Sequence, residues 1–366
     1  MNITFTIATL DKGGAERVLT GLANKFSEDG FNVRIIYMHP KAIAYPINSN
    51  ILIRCMNVDH FTENHSIFEK IINFTNRVFL LRREINSKPT DLIISFGDSI
   101  SVSMLIATFF TFKKKIKKIV SVRNNPSLNA GTLVRRLVTI FYKGADAVVV
   151  QTSYAEKVLA TFAKNVSMVQ INNPVKTLYK SNPYNLSKKK YTFLSLGRYH
   201  NQKRHDILLE AFKILSKKHK NISLCIAGKD DGERNSLQNF INHSGLQDKV
   251  TLKNAVDDVY ELILKSEVYV HPSEFEGMPN SVLEAMSCGL PSIVSNFDGV
   301  ENIIEDKLTG ILFTVNDKNS LVKQMENVLE DKKLRQSLSH NAFESITNNF
   351  DFDKIYNKWK NLINRL

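Results

Sequence analysis

The sequence predicts an α/β protein built from two doubly wound, largely parallel sheets. Three observations carry this. Short apolar, β-branched runs recur at 2–8, 32–37, 91–95, 118–122 and 146–151, and again at 191–196, 222–227, 249–252, 267–271, 291–294 and 310–313. They are mostly continuous rather than alternating, as expected of strands covered on both faces. Longer amphipathic stretches such as 204–217 and 321–329 lie between them, and alternation of strand with helix implies parallel crossovers. The rhythm breaks once, at 172–190, where Asn172-Asn173-Pro174, Ser181-Asn182-Pro183 and three lysines read as a linker.

The expected domains are therefore 1–180 and 181–349. The amphipathic segment 350–366, with Ile355, Trp359 and Ile363 four residues apart, is expected to be a helix crossing back to the first domain. A chain of 366 residues can give each half its own core.

Composition excludes several classes. Hydrophobic content of 43% and charged content of 23% are those of a globular protein. Cys55, Cys225 and Cys288 are scattered with no CxxC, which argues against a disulfide framework or a zinc site. The N-terminal apolar run lacks a preceding basic region and is too short for a signal peptide. No stretch reaches the roughly 20 apolar residues of a membrane span. These features give the expectation of a cytoplasmic protein. The net charge of +13 is one-sided: residues 1–187 hold 24 Lys/Arg against 12 Asp/Glu, and residues 188–366 hold 25 against 24. A basic first half suggests an anionic surface as partner.

The unusual residues fall just after the strands, where open parallel sheets bind ligands. Asp11-Lys12-Gly13-Gly14-Ala15-Glu16-Arg17 follows the first strand; its glycines permit close backbone approach and the next helix offers free N–H groups. Gly197-Arg198 precedes Lys203 by five residues, two cations suited to a diphosphate. The run from His271 to Pro291 places Glu276 in a loop and Glu284 inside the helix that follows. Pro279 suits that helix's first turn and Gly289 its end. Asp298-Gly299-Val300-Glu301 makes a further strand-to-helix junction. Adjacent acids at Asp230-Asp231 and Asp257-Asp258 read as solvated loop or helix-start residues, not metal ligands.

Together these residues resemble glycosyltransferase family 4, a group of retaining enzymes of the GT-B architecture. HPSEFEGMPNSVLEAMSCGLPSIVSNFDGVENII is similar to that family's E-x7-E run and its G-x-x-E element. LGRYHNQKRHDILLEAF resembles its G-R-x-x-x-x-K segment, and KGGAERVLTGLA its N-terminal glycine loop. The resemblance covers nearly the whole chain. It implies two Rossmann-like domains facing a cleft, the first binding the acceptor and the second the nucleotide-sugar donor. Arg198 and Lys203 would neutralise the donor diphosphate. Glu276 would hold the transferred sugar and Glu284 the ribose. Backbone amides of Gly277, Met278, Pro279 and Asn280 are the positions implied for phosphate and sugar (a proline offers no N–H). Val256 would sit near the base, and Gly13 and Gly14 would let the first domain close over the phosphate. The resemblance implies a UDP-sugar co-substrate and no metal or other cofactor.

The sequence departs from the family at one place. Members often carry a His after the strand equivalent to 118–122, where this chain reads Ser121-Val122-Arg123-Asn124-Asn125-Pro126. Arg123 stays charged and is no general base near neutrality; it is read as a phosphate or acceptor contact. The SVRNNP form looks like bacterial enzymes that elongate lipid-linked O-antigen, capsule or N-glycan precursors.

Lys113, Lys114, Lys115, Lys117 and Lys118 lie among Phe109, Phe110, Phe112 and Ile116, and Arg135 and Arg136 among Leu133, Val134, Leu137 and Val138. Such mixtures suit an anionic bilayer, giving the expectation of a peripheral protein on the cytoplasmic face, acting on a polyprenyl-diphosphate-linked saccharide. A soluble acceptor or a sugar-nucleotide epimerase would fit the same fold. A nucleic-acid binder is disfavoured, since basic stripes with stacking aromatics are absent.

Overall fold

The computed structural model describes residues 1–58, 66–109, 116–127, 132–185, 189–256 and 258–366. Contacts divide the chain into two compact units, Met1–Asn173 with Tyr356–Leu366, and Pro174–Ile355.

In the first unit β1 (Asn2–Ile7), α1 (Gly14–Glu28), β2 (Asn32–Tyr37), β3 (Leu52–Cys55), α2 (Ile67–Ser87), β4 (Leu92–Phe96), α3 (Asp98–Phe109), β5 (Lys117–Ser121), α4 (Thr132–Phe141), β6 (Ala147–Val150), α5 (Ser153–Phe162) and β7 (Met168–Gln170) follow in order. The sheet runs β3-β2-β1-β4-β5-β6-β7 with every pair parallel. Its central strands are buried apart from the first residues of β1 and β5, which is why they read as continuous apolar runs. β3 lies at an edge with Leu52 and Arg54 outward-facing, and β7 is three residues long. Neither carries a run that the sequence reading distinguishes from loop.

The second unit contains β8 (Tyr191–Leu196), α6 (His205–Lys218), β9 (Leu224–Ala227), α7 (Arg234–His243), β10 (Val250–Lys253), α8 (Val259–Leu264), β11 (Ser266–His271), α9 (Asn280–Ser287), β12 (Ser292–Ser295), β13 (Ile311–Phe313), α10 (Lys318–Glu330) and α11 (Lys332–Asn349). Its sheet runs β10-β9-β8-β11-β12-β13, again parallel. Strand order reverses between β1 and β4 in one sheet and between β8 and β11 in the other, the switch points at which such sheets open a crevice.

The boundary falls between Asn173 and Pro174 rather than at 180/181. The physical reason is that the chain pairs with the second unit as soon as it leaves the first. Val175 N donates to Phe350 O at 2.9 Å, Thr177 bonds Asp351, and Asn182 Nδ2 donates to Ser339 Oγ at 2.8 Å. The final helix, α12 (Phe352–Arg365), belongs to the first unit from Tyr356 onward. Trp359, fully buried, stacks on Phe96 at 6.1 Å between ring centres. Tyr356 donates to Asp29 at 2.8 Å and packs on Phe26.

Candidate active site

The second unit's switch point gathers most of the predicted residues. β8 ends at Leu196, and Gly197 and Arg198 follow. A Cβ on Gly228 would lie 1.8 Å from the Gly197 carbonyl oxygen, so only glycine lets the chain after β9 pass this close. A 3-10 turn, Asn201–Lys203, comes next, capped by the His200 ring, which accepts from Gln202 N at 3.2 Å. Arg204 then turns the chain in the left-handed region (φ 49°) into α6. A non-glycine residue there carries strain of about 1 kcal/mol. Such strain is typical of segments held for function.

The loop after β11 is tied to that turn in both directions. Gln202 Nε2 donates to Phe275 O at 2.7 Å, and Glu274 N donates to Gln202 O at 2.9 Å. These bonds bring Lys203 against Glu276, with Nζ 2.5 Å from Oε1 and side-chain exposures of 15% and 11%. The Lys203 stem lies over Gly197, where a Cβ would be 3.4 Å from Cδ. His271 Nε2 lies 3.2 Å from the same Oε1, and His271 Nδ1 lies 3.2 Å from the Tyr269 hydroxyl. Burial would raise the Glu276 carboxyl, but the Lys203 ammonium and the His271 ring outweigh it and hold it well below the ordinary carboxylate range. Burial lowers the His271 imidazole despite the raising effect of Glu276, and Lys203 lowers it further. His205, also fully buried nearby, is pushed down to about 3 by burial first and Lys203 second. The site therefore presents a carboxylate and an ammonium beside two neutral imidazoles.

α9 starts immediately after. Pro279 occupies its N-cap with no side-chain cap, and its carbonyl accepts from Val282 N at 3.2 Å. The helix ends where Gly289 adopts φ +63° and Leu290 N reaches back to Ala285 O. Met278 and Pro279 are buried, Gly277 and Asn280 half-buried, and Glu284 is buried one turn inside the helix. Val256 is half-buried against the core cluster that contains Met278, Val282 and Leu283.

Arg198 lies at the same strand end, bonded to Asp231 at 2.6 Å; both are exposed. An exposed pair is worth little and is readily exchanged. Asp230 caps the amides of Gly232 and Arg234. Asp257 lies outside the described residues, as do Phe110, Phe112, Lys113, Lys114 and Lys115.

Gly13, Gly14 and Arg123 belong to the first unit. Gly13 is extended (φ −161°) and caps α1. Glu16 folds back beside it, bonded to Thr9 at 2.9 Å, so that a Cβ on residue 13 would meet Glu16 Oε2 at 2.1 Å. Arg123 is buried: its guanidinium lies 4.0 Å from the Phe96 ring centre and 5.9 Å from that of Trp359, and donates to Asn173 Oδ1 at 2.7 Å. Burial lowers its pKa to about 9. Around Arg123, expected as a phosphate or acceptor contact, lie the aromatic seat of α12 and the segment leaving the first unit.

Sequence reasoning passed over His271, Tyr269 and Gln202. The signal for the first two was present, since residues 269 and 271 share one face of a strand, but periodicity alone does not say what that face meets. Gln202 acts through loop-to-loop bonds that spacing does not reveal.

Residues 179–345 match the family described as glycosyl transferases group 1. An α-1,4-N-acetyl-D-galactosaminyltransferase of Campylobacter jejuni, named as acting on a diphosphoundecaprenol-linked saccharide, is 28% identical over 99% of this chain and 98% of its own length. A glycosyltransferase of Methanocaldococcus jannaschii of no stated substrate is 30% identical, covering 80% of this chain and 83% of that one. A UDP-Gal:α-D-GlcNAc-diphosphoundecaprenol α-1,3-galactosyltransferase of Escherichia coli is 32% identical over 48% of this chain and 46% of its own. Among solved structures, the sucrose-phosphate synthase of Thermosynechococcus elongatus superposes with a TM-score of 0.85 over 100% of this chain and 98% of that one, at 17% identity. That likeness establishes the fold as GT-B.

Proposed function

We propose that this chain, a glycosyltransferase whose residues 179–345 match the group 1 family, is a retaining, metal-independent enzyme of family 4 type moving a hexose or N-acetylhexosamine from a UDP-sugar to a polyprenyl-diphosphate-linked saccharide. The observation that carries this is the Lys203–Glu276 pair at the β8/β11 switch point, beside the start of α9. The relatives from C. jejuni and E. coli support the lipid-linked acceptor, and the E. coli name supports UDP as carrier.

In this reading Lys203 and Arg198 take the diphosphate. The amides at 277, 278 and 280, with the start of α9, add dipole and N–H groups. Glu284 holds the ribose and Val256 lies by the base. As the bond from the anomeric carbon to the phosphate oxygen breaks, charge passes to the diphosphate, where fixed cations stabilise it. The acceptor oxygen bonds the same face of that carbon, and its proton goes to a departing phosphate oxygen. Two resident cations supply the charge that a divalent metal would otherwise bring. Glu276 holds sugar hydroxyls against the oxocarbenium-like centre.

The basic first unit supports a role at an anionic bilayer of the cytoplasmic face, in O-antigen, capsule or related polysaccharide synthesis. On α4, Leu133 and Ile140 are 68% and 61% exposed beside Arg135 and Arg136, and Phe109 ends α3 at 75% exposure. No helix among the described residues is long and apolar enough to cross a membrane. The donor is tested by thermal unfolding with a panel of nucleotide sugars. UDP-linked hexoses or N-acetylhexosamines should raise the midpoint, and protection only by GDP- or ADP-sugars would exclude the UDP reading.

A further inference from the structure

Two partners of Glu276 share one of its oxygens. Lys203 Nζ and His271 Nε2 both meet Oε1, at 2.5 and 3.2 Å. His271 is 1% exposed, so its protonation state is decided by its neighbours. Those are Glu276, Lys203, Tyr269 and His205, with the Phe297 ring 6.3 Å away.

The Tyr269 hydroxyl lies 3.2 Å from His271 Nδ1 and 3.3 Å from the Leu196 carbonyl oxygen, with the Ser281 side chain also within its reach. A phenol has one proton to donate. With the imidazole neutral, Nε2–H donates to Glu276 and Tyr269 donates to Nδ1. With the imidazole protonated, Nδ1–H donates to the Tyr269 oxygen, and the phenol proton turns to Leu196 O. Either state leaves both ring nitrogens bonded. A buried histidine with a single acceptor beside it leaves its second N–H unbonded when protonated.

We propose that His271 is a positioning residue that replaces Lys203 as the cation on Glu276. When the donor diphosphate draws the Lys203 ammonium off Oε1, His271 takes a proton from solvent and keeps the carboxylate ionised and fixed, with Oε2 toward the sugar. This rests on the reading of Lys203 as a diphosphate contact. Three influences bear on the ring: burial opposes the imidazolium, Glu276 favours it, and Lys203 opposes it. Departure of Lys203 thus removes one of the two opposing influences. A buried carboxylate left with no cation would be costly, and the histidine prevents that state.

The test is titration calorimetry of the full chain with UDP-N-acetylgalactosamine and with UDP-galactose, without acceptor, near neutral pH, in buffers of different ionisation enthalpy. The diester phosphates of a UDP-sugar carry no proton titrating near neutrality, so buffer-dependent heat reports the protein. Wild type should take up protons on binding. His271→Gln keeps an N–H for Glu276 but cannot be charged, and should bind without uptake. Tyr269→Phe removes the acceptor for Nδ1–H and should show reduced uptake, which carries the test if His271→Gln does not fold. Buffer-independent heat in wild type, or unchanged uptake in the variants, overturns the proposal. Failure of both donors to bind wild type instead overturns the diphosphate reading, and this inference with it.

Discussion

Lys203 Nζ and Glu276 Oε1, 73 residues apart in the chain, meet at 2.5 Å where the strand order of the second sheet reverses. An ammonium and a carboxylate in contact, both largely shielded from water, are expensive to assemble and are destabilising to leave half-made. Two loops bonded to each other through Gln202 hold the pair in place. The sheet supplies the position and the loops supply the charge.

Replacing either partner by alanine tests that division of labour. Glu276→Ala and Lys203→Ala should each lower transfer by roughly 100-fold or more, the size of effect seen when one electrostatic contact to a transition state is removed. Circular dichroism should show both variants folded. Full activity in both purified proteins would refute the site.

The C-terminal helix makes a separate prediction. Trp359 is fully buried against Phe96 and the Arg123 guanidinium. Trp359→Ala should cost about 3–5 kcal/mol in the first unit, read from urea denaturation followed by circular dichroism. A loss below about 1 kcal/mol would mean that the aromatic seat contributes little.

Stability should fall with acid in a defined window. His205 is held neutral with its pKa lowered to about 3 by burial first and Lys203 second. The unfolded value is about 6.5. A lowered folded pKa means that its contribution is complete above about pH 6.5 and is lost as the pH falls from there toward 3. Glu276, also lowered, adds a loss that begins below about pH 4.3. The melting temperature should therefore decline from about pH 6.5 downward, and His205→Gln should flatten the upper part of the decline. An unchanged slope would contradict the assignment.

The bilayer reading predicts that the full chain binds vesicles containing phosphatidylglycerol and is released by salt. With roughly 1 kcal/mol per charge near such a surface, Arg135→Glu with Arg136→Glu should weaken binding at least tenfold. Equal binding to neutral vesicles would contradict it.

Much of this was legible in the sequence, and the omissions have physical causes. Buried parallel strands announce themselves as apolar runs, so the central strands were found, whereas the edge strand Leu52–Cys55 and the three-residue Met168–Gln170 were not. Gly289, Pro279 and the two glutamates lie in one contiguous stretch, where turn and cap chemistry is local. The contact between Lys203 and Glu276 is not local. Sequence supplied both residues as candidates, but only the parallel pairing of β8 with β11 places them together. Arg123 shows the limit most clearly. The residues that surround it, Phe96, Trp359 and Asn173, come from three distant segments that no local pattern links.

The central claim is tested most directly by following labelled sugar from UDP-N-acetylgalactosamine, UDP-N-acetylglucosamine, UDP-galactose and UDP-glucose into polyprenyl-diphosphate-linked saccharides, with and without EDTA. The account predicts transfer from at least one donor into the lipid-extractable fraction, insensitive to the chelator and lost in Lys203→Ala. Transfer only to soluble acceptors, or transfer abolished by EDTA and restored by a divalent metal, would contradict it.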